Sequence, residues 1–205
     1  VKAKLDLKWT CGTRADRVDD ELCAAMHAAG CRMIMLGIES ANQQSLDLIK
    51  KQCTVEQQIA GVKIIHKHKI STICCYILCL PNETSEMSWK TVELAKKIAS
   101  RIALFYLPVP YPGSELYKAC KESGGITEAD SWSHFLSIDF KNPIYINPLI
   151  GKERMQEIYK AAYKEYYKTP AVWLSNFRSL FWGVSPDATK KGLKALLSLI
   201  GVRKQ

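Results

Sequence analysis

The sequence of 205 residues contains no apolar run of the about 18 to 20 residues that a bilayer-spanning helix needs. Its first residues, VKAKLDLKWT, lack the apolar segment of a secretory leader. Both absences lead to the expectation of a cytoplasmic protein. Among its 8 cysteines there is no C-x3-C-x2-C, no C-x2-C and no zinc-like spacing, and several sit inside apolar runs. Reduced, buried thiols are therefore expected, and a disulfide framework is not. Acidic residues are in short supply, 20 against 29 Lys and Arg. The imbalance is concentrated in Lys152–Gln205, where 11 basic residues face 4 acidic ones, so this stretch carries +7 of the formal +9. Position 1 is Val rather than Met, and the apolar alternation of Leu5, Leu7 and Trp9 starts at once, which leads to the expectation of a fragment of a longer protein. With 47% hydrophobic and 24% charged residues, the composition suits one globular domain, or one domain with a helical appendage.

What is present is an alternation of two periods. KLDLKWTC reads as a strand, and TRADRVDDELCAAMHAAG as a helix capped by Asp19 or Asp20 and ended by Gly30. CRMIMLGIE is a strand run, and NQQSLDLIKK and TVEQQIAGVKIIHKHK are helical. STICCYILCLP reads as a strand closed by Pro81, TSEMSWKTVELAKKIAS as a helix, and IALFYLPVP as a strand. Apolar strands separated by helices imply a parallel α/β sheet, either doubly wound or part of a (β/α) barrel, over residues 1–122. From Ser123 onward the texture turns Gly-, Pro- and Asn-rich and then helical, so residues 123–205 read as a linker and α-helical extension. There Trp173, Phe177 and Phe181, and further on Leu193, Leu196, Leu197 and Ile200, recur at helical spacing. Core packing is the default account of both, with contact at a membrane surface as the alternative, given the Lys-rich flanks.

In parallel folds the chemistry collects at the carboxyl ends of the strands. Those ends are Thr10 to Arg14, Gly37 to Ser40, Pro81 to Thr84 and Pro108 to Ser114. Glu39 can accept hydrogen bonds from ligand hydroxyls, or it and Ser40 can cap the following helix; the residues alone leave these equal. Glu83 and Thr84 in PNETSE read as a capping turn. Arg14 offers a two-pronged donor for a carboxylate, against a surface ion pair with Asp16 or Asp19. His66 and His68 read as solvating a helix end. Gly113 in PYPGSELY is placed to take a positive φ. Cys75, Cys79 and Asn82 fall one residue short of an iron–sulfur triplet, but a strand points alternate residues to opposite faces and Asn is a poor soft-metal ligand, so a buried strand is expected and no metal site.

The run WTCGTRADRVDDELCAAMHAAGCRMIMLGIESANQQSLDLIKKQCTVEQQIAGVKIIHKH, followed by YILCLPNETSEMSWKTVELAKK and PVPYPGSELY, resembles the cobalamin-binding branch of the radical SAM superfamily, over roughly residues 5 to 122. YKAAYKEYYKTPAVWLSNF resembles the helical extension of that branch. The resemblance implies the C-terminal part of a (β/α)6 barrel that binds S-adenosylmethionine beside a 4Fe–4S cluster, in a methyltransferase or another radical enzyme acting on a small, hydrophobic substrate. Cluster ligands and a cobalamin domain would lie outside this chain, which alone is expected to be inactive. Carried over by position, Glu39 and Ser40 hold the ribose and methionyl part, Lys51 lies near the cofactor carboxylate, Arg14 follows the third strand of the family barrel, and Leu80 and Pro81 lie beside the adenine. Cys79 and Asn82 stand where that last motif has glycines. A flavodoxin- or ferredoxin-type reductant and peripheral membrane contact through the tail complete the implied partners, and nucleic acid is not expected. The competing readings are a radical SAM enzyme that modifies RNA, which the basic charge would permit, and a non-catalytic half-barrel scaffold.

Overall fold

β2 (Cys31–Glu39) and β3 (Ser71–Ile77) are nearly continuous apolar runs, of which alternate residues are buried under helices. The computed structural model describes residues 7–127, 132–135 and 139–180. β1 (Trp9–Thr13), β2, β3 and β4 (Ile102–Tyr106) form a four-stranded sheet in that order, all parallel. Between them run α1 (Asp20–Ala28), α2 (Gln43–Leu48), α3 (Val55–Lys67) and α4 (Ser85–Ile98), and after β4 come α5 (Glu115–Ser123), α6 (Lys152–Lys168) and α7 (Pro170–Leu180). Side chains at Ile34, Leu36, Cys74, Tyr76, Ala103 and Phe105 are fully buried against the helices. The alternate positions Gly37, Cys75, Ile77, Leu104 and Tyr106 are only half-buried, and Met35 is exposed. One covered face and one open face make this part of a (β/α) barrel; a doubly wound sheet would bury both faces.

Helix starts follow the sequence closely. Asp19 accepts from the Leu22 amide at 2.7 Å, and Thr54 with Gln57 forms a reciprocal capping box at the head of α3. Gly61 lets α3 approach the 3-10 turn Ala15–Arg17: a Cβ there would lie 1.8 Å from the Ala15 carbonyl oxygen. Two strand boundaries differ from the apolar runs. β1 occupies Trp9–Thr13, past the end of KLDLKWTC, whose first residues, 4–6, lie outside the described ones. β3 stops at Ile77, well before Pro81, because Cys79 takes φ +63° and turns the chain out of the sheet.

β4 is an edge strand, and α6 seals its outer side. Tyr163 Oη accepts from the Phe105 amide and donates to the Phe105 carbonyl, both at 3.0 Å, while Tyr166 Oη donates to the Ser100 carbonyl. Phe105 in turn packs between Tyr76, at 5.4 Å, and Tyr163, at 5.2 Å between ring centroids. α6 therefore shares the core of the sheet. Tyr163→Phe keeps the ring and orphans two buried backbone groups, so it is expected to lower the unfolding free energy by about 1 to 2 kcal/mol and to speed amide exchange at Phe105. In α7, Val172 is buried while Trp173, Leu174 and Phe177 are exposed. Phe181 and the Leu193–Ile200 repeat lie outside the described residues.

At the other end of the sheet His66, half-buried, pairs its Nε2 with Thr72 Oγ1 at 2.8 Å, and burial lowers it to about 4. The unfolded chain takes up this proton near pH 6.5 and the folded chain only near pH 4, so the fold loses stability as pH falls through that window. Between pH 7 and 5 the unfolding free energy is expected to drop about 1 to 2 kcal/mol more in the wild type than in His66→Gln, as read by urea melts.

Candidate functional site

The end of β2 carries an unusual backbone. A β-bulge between Gly37 and Glu39 breaks the pairing with β3, and Glu39 takes φ +64° at the centre of a three-residue turn closed by the Ser40 amide on the Ile38 carbonyl at 2.9 Å. This folds the Glu39 side chain back over Gly37. A Cβ at Gly37 would stand 2.1 Å from Glu39 Oε1 and 3.0 Å from Lys51 Nζ. The bare backbone thus makes room for an ion pair, Lys51 Nζ to Glu39 Oε1 at 2.9 Å, with the two side chains 13% and 19% exposed. Lys50 and Gln52, on either side of Lys51, also have positive φ, at 52° and 55°. Strain of this kind costs on the order of 1 kcal/mol per residue and collects at functional sites.

Arg14, after β1, joins the same corner. Its guanidinium meets Asp16 in two prongs at 3.0 and 3.1 Å and also donates to the Lys51 carbonyl. The Asp16 hydrogen bond raises Arg14 above its ordinary value. Burial is the largest single influence on Asp16 and works against the ionised form, but the Arg14 hydrogen bond, a backbone hydrogen bond and the charges of Arg14 and Arg17 together hold the carboxyl below the usual range. The Arg14–Asp16 ion pair and the link to the Lys51 loop therefore coexist.

Ser40, Leu80 and Pro81 lie deeper. Ser40 is fully buried and its hydroxyl donates to Glu83 Oε1 at 2.7 Å. Glu83, also fully buried, further accepts from the Asn42 side-chain amide at 3.2 Å, the Ser88 hydroxyl at 3.0 Å and the Leu80 amide at 3.4 Å. The PNETSE turn is thus divided: Thr84 caps α4, and Glu83 ties the loop after β3 to the loop after β2. From beyond α5, the buried Asn147 amide donates to the Leu80 carbonyl at 2.6 Å and the Glu83 carbonyl at 2.9 Å. Leu80 and Pro81 are held as a rigid, buried segment. The roles of Glu83, Asn42, Ser88 and Asn147 were not visible in the sequence, where Glu83 and Asn147 read as turn residues and Asn42 and Ser88 as parts of helical runs.

No group of three metal-binding side chains occurs among the described residues. Cys74 and Cys75 point to opposite faces of β3, and burial raises Cys75 to about 11 and Cys79 to about 12. They are neutral thiols rather than a thiolate set. Cys75 is half-buried on the open face, beside Gly37 in the register. His66 and His68 lie on the far side of α3 from this corner, and His68 pairs with Asp20 at 3.0 Å. Gly113, in the turn after β4, has φ +86°.

Comparison with known proteins places this geometry. The family model described as the radical SAM superfamily matches residues 2–95. An uncharacterized methyltransferase of Pyrococcus horikoshii is 28% identical over 172 residues, 84% of this chain and 37% of that protein. The anaerobic magnesium-protoporphyrin IX monomethyl ester cyclase of Rubrivivax gelatinosus is 27% identical over 157 residues, 76% of this chain and 26% of that protein. The chain thus spans well under half the length of these relatives. Among solved structures, the radical S-adenosylmethionine methyltransferase TsrM from Kitasatospora setae, with cobalamin and a 4Fe–4S cluster bound, has a TM-score of 0.58 at 17% identity, covering 80% of this chain and 36% of that one. This last likeness is one of fold. No helix among the described residues is long and apolar enough to cross a membrane.

Proposed function

From the match of the radical SAM superfamily model to residues 2–95, we propose that the chain belongs to that superfamily, supplying the C-terminal strands of a radical SAM barrel and, with them, one side of an S-adenosylmethionine pocket. The observation that carries this reading is the Glu39–Lys51 ion pair closed over Gly37 at the mouth of the parallel strands. An acid and a base side by side suit a ligand that itself carries an ammonium and a carboxylate. Lys51, with Arg14 fixed beside it by Asp16, faces the methionyl carboxylate, and Glu39 accepts from the methionyl ammonium or the ribose hydroxyls. Leu80 and Pro81 form the adenine side, and Ser40, through Glu83, holds the two sides in register. When bound, S-adenosylmethionine supplies the methyl or 5′-deoxyadenosyl group to be transferred or released. The chain's own part is to bind, orient and shield it.

The described residues do not fit a 4Fe–4S cluster, since no set of three thiolates or equivalent ligands occurs among them. We therefore place the cluster ligands, and a cobalamin module, elsewhere in a longer polypeptide, in keeping with the 37% and 26% of the relatives' lengths that the chain spans. The names of the relatives favour methyl transfer or cyclisation; a small hydrophobic substrate such as a pigment precursor and a flavodoxin- or ferredoxin-type electron donor complete the proposal. Exposed Trp173 and Leu174 on α7 suit peripheral contact with lipid. The test is to reconstitute the polypeptide that carries this sequence with iron, sulfide and dithionite and to assay 5′-deoxyadenosine and S-adenosylhomocysteine. Formation of either supports the reading; neither, with an assembled cluster, points to a non-catalytic barrel.

A further inference from the structure

The turn after β4 places a second feature on the rim of the same mouth. Tyr111 is 52% exposed, and its ring stacks on Phe135 at 5.8 Å between centroids with an interplanar angle of 19°. Phe135 in turn meets Trp132 at 5.3 Å and 43°, and Trp132 is 71% exposed. The Tyr111 hydroxyl donates to the Phe135 carbonyl at 3.2 Å, which ties the two segments together. The three rings therefore form a connected ledge, exposed at Tyr111 and Trp132 and half-buried at Phe135. Soluble domains bury aromatic clusters unless the surface is used.

The ledge is joined to the ion-pair corner. Glu115, which starts α5 directly after the turn, bridges to Lys50 Nζ at 3.0 Å, and Lys50 precedes Lys51 of the ion pair. Lys118 shares the same Glu115 carboxylate at 3.0 Å, and both lysines are more than 60% exposed. An apolar, π-rich ledge, followed at the start of α5 by two exposed lysines that share Glu115, has the chemistry to hold a flat conjugated ring that carries peripheral carboxylates. A saturated chain would gain burial there but neither stacking nor ring-edge charge pairing.

We propose that the Tyr111–Phe135–Trp132 ledge is the substrate platform of this protein and that it takes a planar, conjugated, anionic ring system. The proposal rests on the functional reading above for its place in a reaction, but its binding step is independent of turnover. The test uses protoporphyrin IX as the probe and stearate as a saturated anionic control, with binding followed by the probe's own absorbance and fluorescence in the reductant-free protein. The expected result is saturable binding of the porphyrin, weakened about tenfold by Trp132→Ala and by Tyr111→Ala, largely restored in Trp132→Phe, and weakened by Lys50→Glu. Both aromatics are exposed, so the variants are expected to keep the wild-type melting curve. Porphyrin binding unchanged in both alanine variants, no saturable binding, or equal displacement by stearate each overturns the proposal. A protein that binds the ring through the ledge yet makes no product from S-adenosylmethionine overturns the functional reading and leaves the platform standing, whereas product without ring binding does the reverse.

Discussion

Glu83→Ala is expected to lower the unfolding free energy by about 3 kcal/mol, read as a fall in the urea midpoint at unchanged slope. The carboxylate itself is costly to bury, so the loss does not come from deleting a charge. It comes from what is left behind. The Ser40 and Ser88 hydroxyls, the Asn42 amide and the Leu80 backbone amide all point at Glu83 from buried or partly buried positions. Removing their shared acceptor leaves donors unsatisfied at about 1 kcal/mol or more each, partly offset by rearrangement of the hydroxyls. Glu83→Gln keeps the shape but turns one acceptor into a donor, and about half the loss is expected. Because these donors join the loops after β2 and β3, amide exchange should quicken in both loops together in Glu83→Ala. A midpoint within error of the wild type would remove the network from the account.

Gly37→Ala is expected to weaken S-adenosylmethionine binding at least tenfold, which corresponds to about 1.4 kcal/mol, while changing stability by less than about 1 kcal/mol. The added methyl would sit 2.1 Å from Glu39 Oε1, 3.2 Å from Glu39 Cδ and 3.0 Å from Lys51 Nζ. No positive φ is involved at this residue, so the backbone accepts alanine. Only the carboxylate and the ammonium must move. They are the mobile ends of long, partly exposed side chains, so the fold tolerates the change where a preformed ligand site would not. Equilibrium dialysis against labelled S-adenosylmethionine reads the loss; equal affinity in Gly37→Ala would show that the ion pair does not face the ligand.

Much of this was legible in the residues. CRMIMLGIE is β2 to the residue, because an uninterrupted apolar run flanked by helices has only one stable place, inside a parallel sheet. Thr54, Thr84 and Ser114 cap their helices as their side-chain chemistry dictates. The doubly wound alternative could not be excluded by pattern, since Cys75, Ile77, Leu104 and Tyr106 are apolar on the open face as well. The end of β3 was misplaced because nothing in CCYILCLP signals that Cys79 takes φ +63°, a conformation that normally favours glycine or asparagine. Its amide instead donates to the Ser88 hydroxyl at 2.9 Å. Arg14, Glu39 and Lys51 are brought to one corner of the mouth. Their meeting depends on a bulge and three left-handed residues, which no local spacing reveals. The Glu83 network was hidden for a related reason. Ser40 and Asn42 lie 43 and 41 residues from Glu83, and no local pattern links residues so far apart.

The central claim is that this chain presents Glu39 to S-adenosylmethionine, and it is met most directly by comparing Glu39→Ala with the wild type in the reconstituted polypeptide that carries this sequence. The quantity to measure is 5′-deoxyadenosine plus S-adenosylhomocysteine formed per assembled cluster, with the melting temperature followed alongside. The account predicts product reduced by at least about tenfold in Glu39→Ala, in protein that the melting curve shows to be still folded. Product formed at the wild-type rate in Glu39→Ala would contradict it.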